Sequence, residues 1–180
     1  MKYKHLLCLV LFSFMPFSIW AIDGVGADLV TKSGNVTIEW DSPQDYTDVK
    51  SVSGKQAAYE KRVFKALTDN LAKVAQQTLS PDLRLELIVT NLDLAGDVQS
   101  TFGATPNDIR VVKPVFPPKI AFSYSVLEGD KVIMVGDEKL TDLNFMHGLK
   151  KPNEKSLSYE NALLKSWLLT KVEPHLPSPN

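Results

Sequence analysis

Four oxygen-bearing side chains stand where two strands are expected to end. Asp93 and Asp97 flank the exit of one apolar run, and Asp142 and Asn144 follow another. If the two ends share an edge of one sheet, these side chains converge, with Asp137 or Glu138 nearby. Together they would offer the hard oxygen ligands that Ca²⁺ or Mg²⁺ takes. Paired carboxylates can also work as acid and base when burial drives their pKa values apart. The plainer reading is that Asp and Asn at strand ends cap turns through local backbone hydrogen bonds. No ligand loop of EF-hand spacing accompanies them, so a divalent cation stays open and no other cofactor is expected.

Other chemistry is scarce. The chain has no P-loop, no G-x-G-x-x-G, no G-x-S-x-G and no H-E-x-x-H. His147 and His175 are the histidines beyond the N-terminal segment, too few for a multi-histidine zinc site. His147 reads as a surface loop residue, with a base or ligand role as the alternative. Phe145 and Met146 precede it, and apolar side chains on a loop suit a docking surface. Phe145, Met146 and His147 therefore form a candidate interaction loop, whereas Phe116, Phe122, Tyr124, Tyr159 and Trp167 read as core.

These residues need elements to hold them. Val36, Ile38 and Trp40 alternate with polar residues as a half-buried strand does. From Ser53 the period changes, and Val63, Leu67, Leu71 and Val74 draw one stripe on a long helix, with Ser53 and Gln56 at capping-box spacing. Leu83, Leu85 and Leu87 begin a long strand, the polar stretch Asp97–Asp108 reads as a first long loop, and Ile109–Val112 as a short edge strand. Lys119–Leu127 and Lys131–Leu140 around Glu128-Gly129-Asp130 form a hairpin. Thr141–Ser156 is a second long loop, and Leu157–Val172 a closing helix with Tyr159, Leu163, Trp167 and Leu168 on one side.

The predicted class is α+β: a mostly antiparallel sheet of four to five strands, with a long helix after the first strand and a C-terminal helix packed on it. Only the first strand–helix–strand step could be a parallel crossover.

The N-terminus reads as an address. Lys2, Lys4 and His5 precede an apolar run from Leu6 to Phe17, and Ala21 follows as a small residue at the expected cut. That is the pattern of a cleaved secretory signal, too short for a membrane-spanning helix. The expected organisation is a signal peptide over 1–21, a flexible leader over 22–34, one domain over 35–173 and a Pro-rich tail over 174–180. The whole chain has 180 residues, 20 basic and 21 acidic, a formal charge of −1 and one cysteine, Cys8. Losing Lys2, Lys4 and Cys8 leaves a cysteine-free chain of charge −3, which excludes a disulfide scaffold and thiol catalysis. Near-neutral charge argues against a nucleic-acid binder, and no later apolar run reaches membrane-spanning length.

Several runs together resemble a known family. They are Tyr46-Thr47-Asp48, Asn91-Leu92-Asp93-Leu94-Ala95-Gly96, Ile109-Arg110-Val111-Val112-Lys113, Pro117-Pro118-Lys119-Ile120, Leu140-Thr141-Asp142-Leu143-Asn144-Phe145, Tyr159-Glu160 and Trp167. The combination is similar to a family of short exported proteobacterial proteins known as a domain of unknown function. That resemblance implies an exported, periplasmic protein of a Gram-negative bacterium and implies no reaction. The function expected is a non-enzymatic binding or protein-interaction module, whose partner is a periplasmic protein or a small ligand. The alternative is a metal-dependent or acid–base hydrolase built on Asp93, Asp97, Asp142 and Asn144.

Overall fold

The computed structural model describes residues 29–52, 54–100, 108–147 and 157–176. The expected signal peptide, leader residues 22–28, Ser53, most of both long loops and the last four residues lie outside that range.

Five strands make the main sheet, in the spatial order Leu29–Ser33 (β1), Val36–Trp40 (β2), Leu83–Asp93 (β3), Lys119–Glu128 (β6) and Lys131–Thr141 (β7). β1 (Leu29–Ser33) and β2 (Val36–Trp40) form an antiparallel hairpin, and Gly34 at its turn takes φ 53°, a left-handed conformation natural to glycine. The domain thus begins inside the stretch read as a flexible leader. β1 gave no clear alternation because it is an edge strand, half-exposed on one face and exposed on the other. The long helix follows this hairpin rather than the first strand.

After a 3-10 turn at Pro43–Asp45, helix α1 runs from Gln56 to Thr78, 23 residues and about 34 Å at 1.5 Å per residue. It carries the chain across to β3 (Leu83–Asp93), which pairs with β2 in parallel. Parallel strands need such a crossover. Lys55 takes the N-cap position without a side-chain bond, so the capping box does not form. Gln56 instead reaches outward, accepting from the Ser51 N–H at 2.9 Å and donating to the Val49 carbonyl.

β6 (Lys119–Glu128) pairs antiparallel with β3, and β7 (Lys131–Thr141) pairs antiparallel with β6, the hairpin that alternation predicts. β4 (Asp97–Ser100) and β5 (Asp108–Val111) pair with each other in a separate two-stranded sheet. The first long loop is therefore in part a hairpin arm. Helix α2 (Ser158–Trp167) passes into a π turn at Leu168–Val172 and a 3-10 turn at Glu173–His175. The sheet is mostly antiparallel, with one parallel pair, as the class α+β requires.

Both helices lie on one face. Trp40 stacks on Phe64 with ring centroids 4.2 Å apart, and Trp167 meets Phe122 and Tyr124 edge-on at 4.8 and 5.0 Å. Leu85, Leu87, Val89, Phe122 and Val126 point into this layer and are buried. Here the Trp40 indole N–H donates to Thr31 Oγ1 at 2.8 Å, and the Thr31 and Thr68 hydroxyls lie 2.6 Å apart. Among the described residues no helix is long and apolar enough to cross a membrane.

Candidate functional site

The two strand ends that carry the candidate carboxylates do lie at one end of the sheet. β3 and β7 run the same way with β6 between them, so Asp93 and the residue after Thr141 are two strand spacings apart, about 9–10 Å. Lys119, opposite both Asp93 and Thr141, fills the interval. Its ammonium bonds Asp93 at 2.8 Å. Asp142 turns back and accepts from the Asn144 N–H at 2.8 Å, a local turn cap. Asp97 belongs to the other sheet, opposite Val111. Among the described residues, no group of three or more His, Cys, Asp or Glu side chains is disposed to hold a metal ion. Asp137 and Glu138 lie up the strand on opposite faces, and Glu138 accepts from the Trp167 indole at 3.2 Å.

The candidate interaction loop is unevenly exposed. Phe145 is buried, 7% exposed, because its ring sits edge-on against Tyr159 at 4.9 Å. Met146 is half-buried and His147 exposed, its backbone N–H bonding the Asn144 carbonyl. Phe145 anchors the turn to α2 rather than presenting itself to a partner.

The same end of the sheet holds a polar node that spacing did not reveal: Asp48, Arg110 and Glu160. Past the 3-10 turn the chain returns to β3, where the Asp48 N–H bonds the Leu92 carbonyl and the Leu94 N–H bonds the Asp48 carbonyl. Arg110, from β5, grips the Asp48 carboxylate with both terminal nitrogens, at 2.8 and 3.3 Å. The same guanidinium reaches the carbonyls of Leu94, Gly96 and Lys50 at 3.4–3.5 Å. Burial disfavours its charge, yet the bonds to Asp48 outweigh that and raise its pKa above the usual value. Glu160, 5% exposed, enters from α2 and accepts the Ala95 N–H at 2.7 Å. Burial raises its pKa, while that bond and the charge of Arg110 pull the other way.

The node is a clamp. It ties β5, α2 and the segment around Asp48 to the turn Leu94-Ala95-Gly96. Gly96 has φ 88°, and a Cβ there would lie 2.6 Å from the Val111 carbonyl oxygen, so the turn and the arm touch backbone to backbone. One signal could have exposed Glu160: it stands four residues before Leu164 and eight before Leu168, on the apolar stripe of α2. Asp48 and Arg110 are 62 residues apart, and no local pattern links them.

The other face of the sheet has a different character. Among the described residues no element covers it, and Val30, Ile88 and Val135 are exposed at 57, 44 and 68%. They border a shallow depression of about 390 Å³ whose lining also includes Ser123, Ser125 and Asp137. This surface came from no motif, since each of its residues is only the polar or exposed half of an ordinary alternation.

Neither the curated proteins nor the solved structures contain a match to this chain. A family model does match, over residues 34–170, which span every element that builds the clamp and the sheet apart from β1. The chain belongs to the DUF3016 family, proteins of unknown function.

Proposed function

We propose that this chain is exported to the periplasm of a Gram-negative bacterium and acts there by binding another molecule rather than by catalysis. The observation that carries the reading is the uncovered sheet face, where exposed Val30, Ile88 and Val135 surround one depression. Exposed apolar side chains gathered around a concavity are what a docking surface uses. The charged groups at the sheet end support the same reading from the other side, because Asp93, Asp48, Arg110 and Glu160 are spent on internal bonds. The hydrolase alternative, and the divalent cation with it, draws no comparable support. Export rests on the N-terminal pattern of Lys2, Lys4 and the apolar run up to Phe17.

Two measurements test this. Mass spectrometry of the protein from a periplasmic extract should return a chain starting at Ile22; a full-length product held in the cytoplasm would remove the export claim. A photo-crosslinking residue at Ser125 should give one discrete adduct in cells, and the same residue at Lys61, on the exposed side of α1, should give none. No adduct at Ser125 would remove the binding claim.

A further inference from the structure

The uncovered face has a finer pattern than exposure alone. Outward positions of β6 are small at Ala121, Ser123 and Ser125, while both neighbouring strands carry larger side chains. In one cross-strand row Ile88 on β3 and Asp137 on β7 flank Ser123; in the next, Glu86 and Val135 flank Ser125. A trough therefore runs along β6 between walls two strand spacings apart, about 9–10 Å. Over these two rows each wall sets one acid beside one apolar side chain, and the two walls are out of step. Glu39, opposite Ile88 on β2, adds a third carboxylate to the lining.

Among the described residues none of Glu39, Glu86 and Asp137 makes an ion pair or a side-chain hydrogen bond. No basic side chain lines the depression. Lys32, Arg84 and Lys139 share the face beyond it, and Arg84 leans toward Asp130 at 3.7 Å. Three unpaired carboxylates set among exposed Ile88 and Val135 select against an acidic or purely apolar occupant, because a like charge or an uncompensated carboxylate would have to be desolvated there.

We propose that this trough docks a basic segment of another polypeptide, one in which Lys or Arg alternates with apolar side chains. Its cations lie against Glu86, Asp137 and Glu39, and its apolar side chains pack on Ile88 and Val135. The assignment rests on the binding reading above and names its partner's chemistry.

The probe is a short, fluorescently labelled synthetic peptide alternating Lys and Leu, titrated into the chain that starts at Ile22 and followed by anisotropy. Binding should weaken at least about tenfold when Glu39→Gln, Glu86→Gln and Asp137→Asn are combined, and should weaken with rising salt, as exposed charge pairs do. Ser123→Trp, which fills the trough without touching charge, should weaken it too. A peptide alternating Glu and Leu should not bind. An unchanged affinity in the triple variant, with its thermal unfolding also unchanged, overturns the proposal. So does spermine binding as tightly as the peptide, which would make the occupant a small polycation. Binding only to a chain begun at Leu29 also overturns it, since residues 22–28 would then be the occupant. A Ser125 crosslink that persists while the peptide fails to bind defeats this assignment alone; loss of the crosslink defeats the binding reading itself.

Discussion

The two faces of the main sheet are built from the same strands and obey opposite rules. On the helix-covered face Leu87, Phe122 and Tyr124 are buried, and the indoles of Trp40 and Trp167 bond Thr31 and Glu138. One residue along each strand, Ile88, Ser123 and Asp137 look outward, and Glu86 and Asp137 have no ionic partner among the described residues. Stability should therefore reside on one face and recognition on the other. A sheet with one solvated face normally shows apolar-in, polar-out alternation, so the departures at Val30, Ile88 and Val135 carry the information.

The largest expected effect lies where the covered layer reaches the end of the sheet. Asp48→Ala would leave the Arg110 guanidinium mostly buried without its counter-ion, a loss of about 3–5 kcal/mol. Urea unfolding measures it, and a loss below about 1 kcal/mol would mean that the carbonyls of Leu94 and Gly96 hold Arg110 unaided. Next, Leu87→Ala should cost about 2–5 kcal/mol by opening a cavity under the helices, whereas its neighbour Ile88→Ala should cost less than about 1. Equal losses at the two positions would erase the distinction between the faces.

Glu160 sharpens the comparison through pH. Its folded pKa is raised by burial above the ordinary 4.5, so the native state holds this proton more tightly than the unfolded chain does. Stability from this group is full below that ordinary value and declines as pH rises toward the folded one. Glu160→Gln keeps an oxygen for the Ala95 N–H and should flatten the decline, seen as melting temperatures compared above and below pH 4.5. Glu160→Ala should cost about 1–3 kcal/mol below pH 4.5, because the Ala95 N–H is left unbonded, and less as pH rises. Smallest of all, neutralising Glu39, Glu86 and Asp137 together should shift stability by no more than about 0.5 kcal/mol. A larger loss would show that the outer face also contributes to folding.

What could be read from the sequence follows the strength of local signals. The β6–β7 hairpin was legible because period-2 alternation runs from Ile120 to Val126 and Gly129 supplies the turn with φ 59°. The parallel crossover through α1 was legible as the one strand–helix–strand step. β1 was not, since an edge strand shows little contrast between its faces. On α2 the stripe through Tyr159 and Leu163 was one residue out of phase: the buried positions are Glu160, Leu164, Trp167 and Leu168, and a carboxylate at the head of the stripe disguised it. The shared sheet end of Asp93 and Asp142 entered only as a condition, and no pattern pointed to Lys119 between them. The clamp of Asp48, Arg110 and Glu160 joins three distant segments, and only the tertiary fold brings them together.

The parallel pairing of β2 with β3 also dictates an order of assembly. Val36 is matched with Leu85 and Trp40 with Val89, so the β1–β2 ribbon has no sheet neighbour until the chain has been made past residue 89. An isolated two-stranded hairpin is marginal in water, and α1 alone gives it little to join. A nascent chain cut after α1 should therefore remain unfolded and accessible to proteases, and one extended through β6 should be the first to gain protection. Pairings this far apart in sequence slow folding, which leaves a long interval in which the chain is still a flexible thread.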